Sequence, residues 1–231
     1  MYEPTTSLNK TVRLTGFLYF LVAIAGIFNF MYVFPKIMAE DDIAATSRNM
    51  LANESLYRFS IAIAIVANMI FVTVVLLLHR LLRPVNELLA KLMAAFILIT
   101  IPVSFVDEGI KFAVLQIFKG NLLRSMQEAQ AQDLAALLLK VGDYMSQLSS
   151  FLWGLWLIPL ARLVYRCGFL PKILGILLLL NGLGFIISSG TFILFPDHVA
   201  SVNKHIFPTY FLGELPFMLW MMIIGVRKKR N

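Results

Sequence analysis

The chain has 231 residues, of which 59% are hydrophobic and 14% charged, against roughly 45–50% and 25% in soluble domains. That apolar excess cannot be hidden in one water-soluble core of this size. The formal charge of +7 sits in short basic clusters between apolar runs, which excludes a nucleic-acid reader and fits the loops of a membrane protein.

The first apolar run covers 12–34 and closes at Pro35 and Lys36. It is longer than the 7–15 residue core typical of a signal peptide and has no small-residue cleavage site, so it reads as a retained anchor. The segment EDDIAATSRNMLANES is too polar to span, and Asp41 or Asp42 is placed to cap a short surface helix. A second span covers 57–82 and stops at Arg83 and Pro84, because the residue before proline disfavours helical geometry and proline lacks an amide donor.

A third, long span covers 87–118, starting at Asn86 or Glu87. Gly120 breaks it, and NLLRSMQEAQAQD makes a second outer loop with room for helical turns. The fourth span covers 134–165, the turn RCGFLPK sets the fourth and fifth side by side, and the fifth covers 171–195, beginning at Pro171. Pro196 to Lys204 forms a third outer loop before the last run, 207–227. That run ends in Arg227, Lys228, Lys229 and Arg230, which hold this end in the cytoplasm by the positive-inside rule. Lys10, Arg13, Arg80, Arg83, Lys91, Arg162, Arg166 and Lys172 fall on the same side. The expected fold is all-α: a polytopic six-transmembrane-helix bundle, one integral membrane domain over 1–231, with both termini cytoplasmic.

Polar residues mark the interior. Glu214 lies about 8 residues, or roughly 12 Å, into the last run. An unpaired charge at that depth costs at least a few kcal/mol, so it needs a partner, a proton or water. In the third run Thr100, Ser104, Asp107, Glu108 and Lys111 share one helical stripe, and Asp107 with Lys111 has the favoured i,i+4 order. Asp143 lies at similar depth in the fourth run, Asn29 and Asn181 are interior polar groups of the first and fifth, and Arg58 sits at the outer end of the second. If these faces meet, Asp107, Glu108, Asp143 and Glu214 converge with Lys111 and Arg58 around an outward-facing acidic cavity. The competing reading makes Lys111 and Arg58 structural ion-pair partners of the acids. Pro102, Pro159 and Pro216 each free a carbonyl, those of Leu98, Leu155 and Leu212. Gly175, Gly182 and Gly184 read as close helix contacts.

Enzyme signatures are mostly missing. Neither His79, His198 nor His205 belongs to a His-Glu-x-x-His helix, Ser149 and Ser150 lack a nucleophile-elbow context, and the single Cys167 allows no intramolecular disulfide. No catalytic residue, metal ligand set or cofactor is assigned.

Five stretches carry a family resemblance: RLTGFLYFL from Arg13, ATSRNMLANESLYRF from Ala45, LLRPVNELLAKLMAAF from Leu81, YRCGFLPKILGILLLLNGLGF from Tyr165 and FLGELPFMLW from Phe211. In order and spacing they resemble DUF4386, a bacterial membrane family of unknown function. The resemblance implies a multi-pass protein of the bacterial cytoplasmic (inner) membrane, with Glu214 inside a GEL segment, and supplies no activity. Three functions compete: binding or transport of a small cation, proton or polar solute through the acidic cavity; a non-catalytic partner of another membrane protein, as an immunity, sensor or assembly subunit; and an enzyme acting on a lipid with the same carboxylates as acid and base. The bilayer itself is the one certain partner these readings share.

Overall fold

Caps and prolines set most of the helix ends. A computed structural model describes residues 5–39 and 42–226, and all regular structure among them is helical. The helices are α1 (Thr5–Ile27), α2 (Phe34–Ile37), α3 (Ile43–Ala52), α4 (Glu54–Leu82), α5 (Glu87–Leu98), α6 (Thr100–Phe118), α7 (Glu128–Arg166), α8 (Lys172–Leu194) and α9 (Val199–Ile223). Among the described residues, five stretches are long and apolar enough to cross a membrane: Ser7–Ile37, Glu54–Leu82, Glu87–Phe118, Glu128–Arg166 and Lys172–Leu194. Asp41 and the cluster Arg227 to Arg230 lie outside the described residues.

The expected short helix after the first span is present. The Asp42 carboxylate accepts the Ala45 amide at 2.7 Å and opens α3, while Thr46 exchanges hydrogen bonds with the Ala39 backbone at 3.0 and 3.3 Å to pin α3 against the preceding turn. Asn86 caps α5 in the same way, accepting the Leu89 amide at 2.9 Å. Replacing Asn86 by alanine leaves that donor without its side-chain partner, and thermal melting in detergent should show a loss of about 1 kcal/mol.

Pro35 does not close the first span. A wide π-helical segment, Phe28–Val33, precedes it, with the Phe34 amide bonded to the Asn29 carbonyl, and Pro35 then opens α2. The wider turn makes room for the proline ring, which in an α-helix would strike the carbonyl four residues back. The third span is likewise interrupted, at Ile99, three residues before Pro102, whose ring displaces the Leu98 carbonyl from α-helical geometry. By contrast Pro159 and Pro216 stay inside α7 and α9, as does Pro208.

Two expected loops are partly helical. Residues from Glu128 onward already belong to α7, and Pro196–His198 forms a 3₁₀ turn leading into α9 at Val199. The Ser188 hydroxyl, donating to Asn203 at 2.6 Å, ties that entry to α8. Asp143 and Glu214 consequently lie about two turns further along their helices than the sequence implied. Pro171 is the residue before α8 rather than its first.

Many large apolar side chains lie exposed, alongside an interior that is itself mainly apolar. Along α8 the large apolar residues Ile173, Ile176, Leu180, Leu183 and Ile187 are exposed, while Asn181, Ser188 and Ser189 are buried. Leu174, Leu178 and three glycines are buried with them, and an apolar outer face over small and polar inner residues fits a lipid-facing helix.

The chain divides into two compact units. One takes the residues up to Leu21, Ile70–Ile101 and everything from Gln147; the other takes Val22–Met69 and Pro102–Ser146. Within the first, α1 and α9 run antiparallel. Arg13 donates to the Ile223 carbonyl at 3.0 Å and Asn9 accepts the Val226 amide at 2.9 Å, so the start of α1 caps the end of α9. Gly225, at φ +73°, makes that end, its amide reaching back to the Trp220 carbonyl at 2.9 Å. Cys167 sits in the turn between α7 and α8, donating to the Val164 carbonyl at 3.2 Å, and burial pushes its thiol up from the ordinary range. In the second unit Val33, Ile37, Met50, Tyr57, Ile61, Val114, Leu115 and Ala135 make an apolar core.

Candidate functional site

The sequence-predicted polar residues fall into two groups, one in each unit. In the first unit, Glu214 is partly buried on α9 and its Oε1 accepts the hydrogen bond of the Tyr19 hydroxyl on α1. Tyr19 is 3% exposed. Its ring is held by Phe71 at 5.5 Å, Trp156 at 6.4 Å and Phe217 at 6.5 Å, and Trp153 lies flat on Phe71 at 5.2 Å. Trp156 is fully buried, and its indole N–H has no acceptor among the described residues. Glu214 has no cationic partner among the described residues either.

The Glu214 carboxylate is thus held by a phenol beside an aromatic cluster. The apolar rings exclude water and lower the local dielectric, which raises the cost of a bare charge there. The phenol supplies one hydrogen bond but no charge, so the carboxyl can meet that cost with a proton or with a bound cation. Asn181, predicted with it, is fully buried in the same unit, where α8 passes closely against Gly213 of α9.

The second unit gathers Asp107, Glu108, Lys111 and Asp143. Lys111 bridges Asp107 and Glu108, at 2.8 Å to each, and Glu108 is 7% exposed. Asp107 leans against Gly142 of α7, where a Cβ would come within 2.6 Å of its carboxylate oxygen. That brings it beside Asp143, which is exposed and feels the charges of Lys140, Asp107 and Lys111. Tyr57 closes the group from α4, its hydroxyl donating to the Lys111 carbonyl at 3.4 Å. Three acids thus share two lysines.

Arg58 does not join this cluster as an ion-pair partner. Its Nε donates to Glu54 at 2.7 Å, and Glu54 also takes Lys119 at 2.7 and 2.9 Å. Asn29 donates to the Ser60 carbonyl at 3.3 Å, and its side-chain oxygen is buried without a donor among the described residues. Tyr19 is the residue that sequence reasoning missed. It stands four residues after Thr15 on one face of α1, which was the available signal, but nothing on that face points to Glu214. Among the described residues no group of three or more His, Cys, Asp or Glu could hold a metal ion.

A family model described as a domain of unknown function (DUF4386) matches residues 14–225. Neither a curated protein nor a solved structure matches the chain.

Proposed function

We propose that this chain, which belongs to the DUF4386 family, is a multi-pass membrane protein that binds and exchanges a proton or small cation at Glu214. The observation that carries the reading is the partner of that carboxyl: a tyrosine hydroxyl from α1 rather than a lysine or arginine. A structural role would be served by a cation, as Lys111 serves Asp107 and Glu108. A neutral donor leaves the charge open to be balanced by something that comes and goes.

In this reading α9 is the sixth span. Its 25 residues are enough for about 37 Å of helix, and the contacts of Asn9 and Arg13 with its end support an even number of crossings, with the start of α1 and the end of α9 on one side. The cation distribution makes that side the cytoplasm of a bacterial cell. Within its own unit the acidic cluster of Asp107, Glu108 and Asp143, short of full neutralisation by Lys111 and Lys140, raises the local cation concentration. Asn181 is buried in the same unit as Glu214, where α8 passes against Gly213 of α9, and adds a neutral polar side chain to that interior.

The test is flux. Purified protein in vesicles carrying an internal pH dye should collapse an imposed proton or alkali-cation gradient faster than empty vesicles. Glu214→Gln should slow this at least tenfold, because an amide neither carries a proton nor balances a cation, and Tyr19→Phe should slow it less. Wild-type vesicles no leakier than empty ones to protons, sodium and potassium, or a Glu214→Gln variant with unchanged flux, would remove the proposal.

A further inference from the structure

The groove between α4 and α6 is built from Arg58, Ile61, Ala62 and Ile65 on one wall and Phe105, Glu108, Gly109 and Phe112 on the other, and encloses about 470 Å³. Both walls follow an i, i+3, i+4, i+7 spacing, so the groove runs along the two helices for about 10 Å. We propose that it binds one anionic phospholipid, with the phosphate at Arg58 and an acyl chain along Ile61, Ile65 and Phe105. The site lies on elements that Glu214 does not touch, and the proposal stands apart from the reading of Glu214.

Charge fixes the direction. Glu54 is shared by Arg58 and Lys119, two cations on one carboxylate. Arg58 spends its Nε on Glu54, and a guanidinium has five N–H donors, so donors remain for a phosphate. Its charged carbon stands 5.3 Å from the centre of the Phe112 ring, which keeps the head over the groove. The one acid on the walls, Glu108, is bonded to Lys111 at 2.8 Å, and the phosphate is placed at the other end, where Glu54 with Arg58 and Lys119 leaves one net positive charge.

Position favours a lipid over a soluble anion. Arg58 is in the first turns of α4 and Lys119 directly follows α6, so the cationic end sits where helices meet the headgroup layer, while the remaining wall is apolar. Gly109 leaves the wall open: a Cβ added there meets nothing within 4 Å.

Native mass spectrometry of the full-length protein, offered equal amounts of phosphatidylglycerol and phosphatidylcholine with the same acyl chains, tests this. Wild-type protein should retain the anionic lipid about fivefold better, as one surface cation supplies. Arg58→Gln should lose that preference, and Gly109→Leu, whose Cβ has open space and whose side chain occupies the groove, should lose the retained lipid of both kinds. Equal retention of the two lipids by wild-type protein overturns the proposal. So does an unchanged preference in Arg58→Gln, retention in Gly109→Leu equal to wild type, or displacement of the lipid by millimolar inorganic phosphate, which would mark a free-anion site.

Discussion

Lys111→Met should destabilise the protein by about 2 kcal/mol, and a second substitution, Glu108→Gln, should recover much of that loss. Removing one member of a buried ion pair costs about 3–5 kcal/mol, because the charge left behind stays desolvated. The Lys111 side chain is 35% exposed, and water reaching it screens part of that cost. The two carboxylates differ, however: the Asp107 side chain is 23% exposed and the Glu108 side chain only 8%. Glu108 therefore carries most of the penalty, and neutralising it should restore more stability than Asp107→Asn does. Melting in detergent, followed by tryptophan fluorescence, ranks the four proteins. Equal melting of wild type and Lys111→Met would mean that water already solvates both acids.

This cluster was legible in part because it obeys helical periodicity. Asp107, Glu108 and Lys111 stand at i, i+1 and i+4 on one helix, so their pairing follows from local spacing alone. The caps at Asp42 and Asn86 were legible for the same reason, since each acts on an amide three residues away. Tyr19 and Glu214 are 195 residues apart, and no periodicity relates them. Their meeting depends on the rotation and vertical offset of α1 against α9, which Arg13, Asn9 and the close packing of Gly16 on Met221 and Met222 fix. Arg58 shows the converse. Its place near the acids suited an ion pair with them, but Glu54, one turn earlier on the same helix, is the nearer carboxylate and takes it. The starts of α7 and α9 were missed because polar residues such as Gln130, Gln132 and Asn203 read as loop, although a helix that continues past the apolar layer can be polar on every side.

The larger effect is expected at the crossing of α7 and α8. Gly182→Leu should leave no folded protein, Gly182→Ala should cost about 1–3 kcal/mol, and Gly190→Ala on the same helix should be neutral or slightly stabilising. At Gly182 an added Cβ comes within 2.9 Å of the Leu157 Cβ and 3.0 Å of the Gly154 carbonyl oxygen, and at Gly154 within 2.7 Å of the Gly182 carbonyl oxygen. The two glycines thus face each other and let the backbones touch. No side-chain rotation relieves an alanine there, because the obstacles are a main-chain oxygen and a Cβ. In lipid, where apolar burial between helices gains little, that close van der Waals fit is a main source of association, so separating the helices removes it along much of their length. Gly190 has nothing within 4 Å of an added Cβ, so there only helix propensity changes, about 1 kcal/mol in favour of alanine. Folded yield by size-exclusion profile and melting temperature separates the cases. If Gly182→Ala melted with Gly190→Ala, close approach at this crossing would not be what joins α7 to α8.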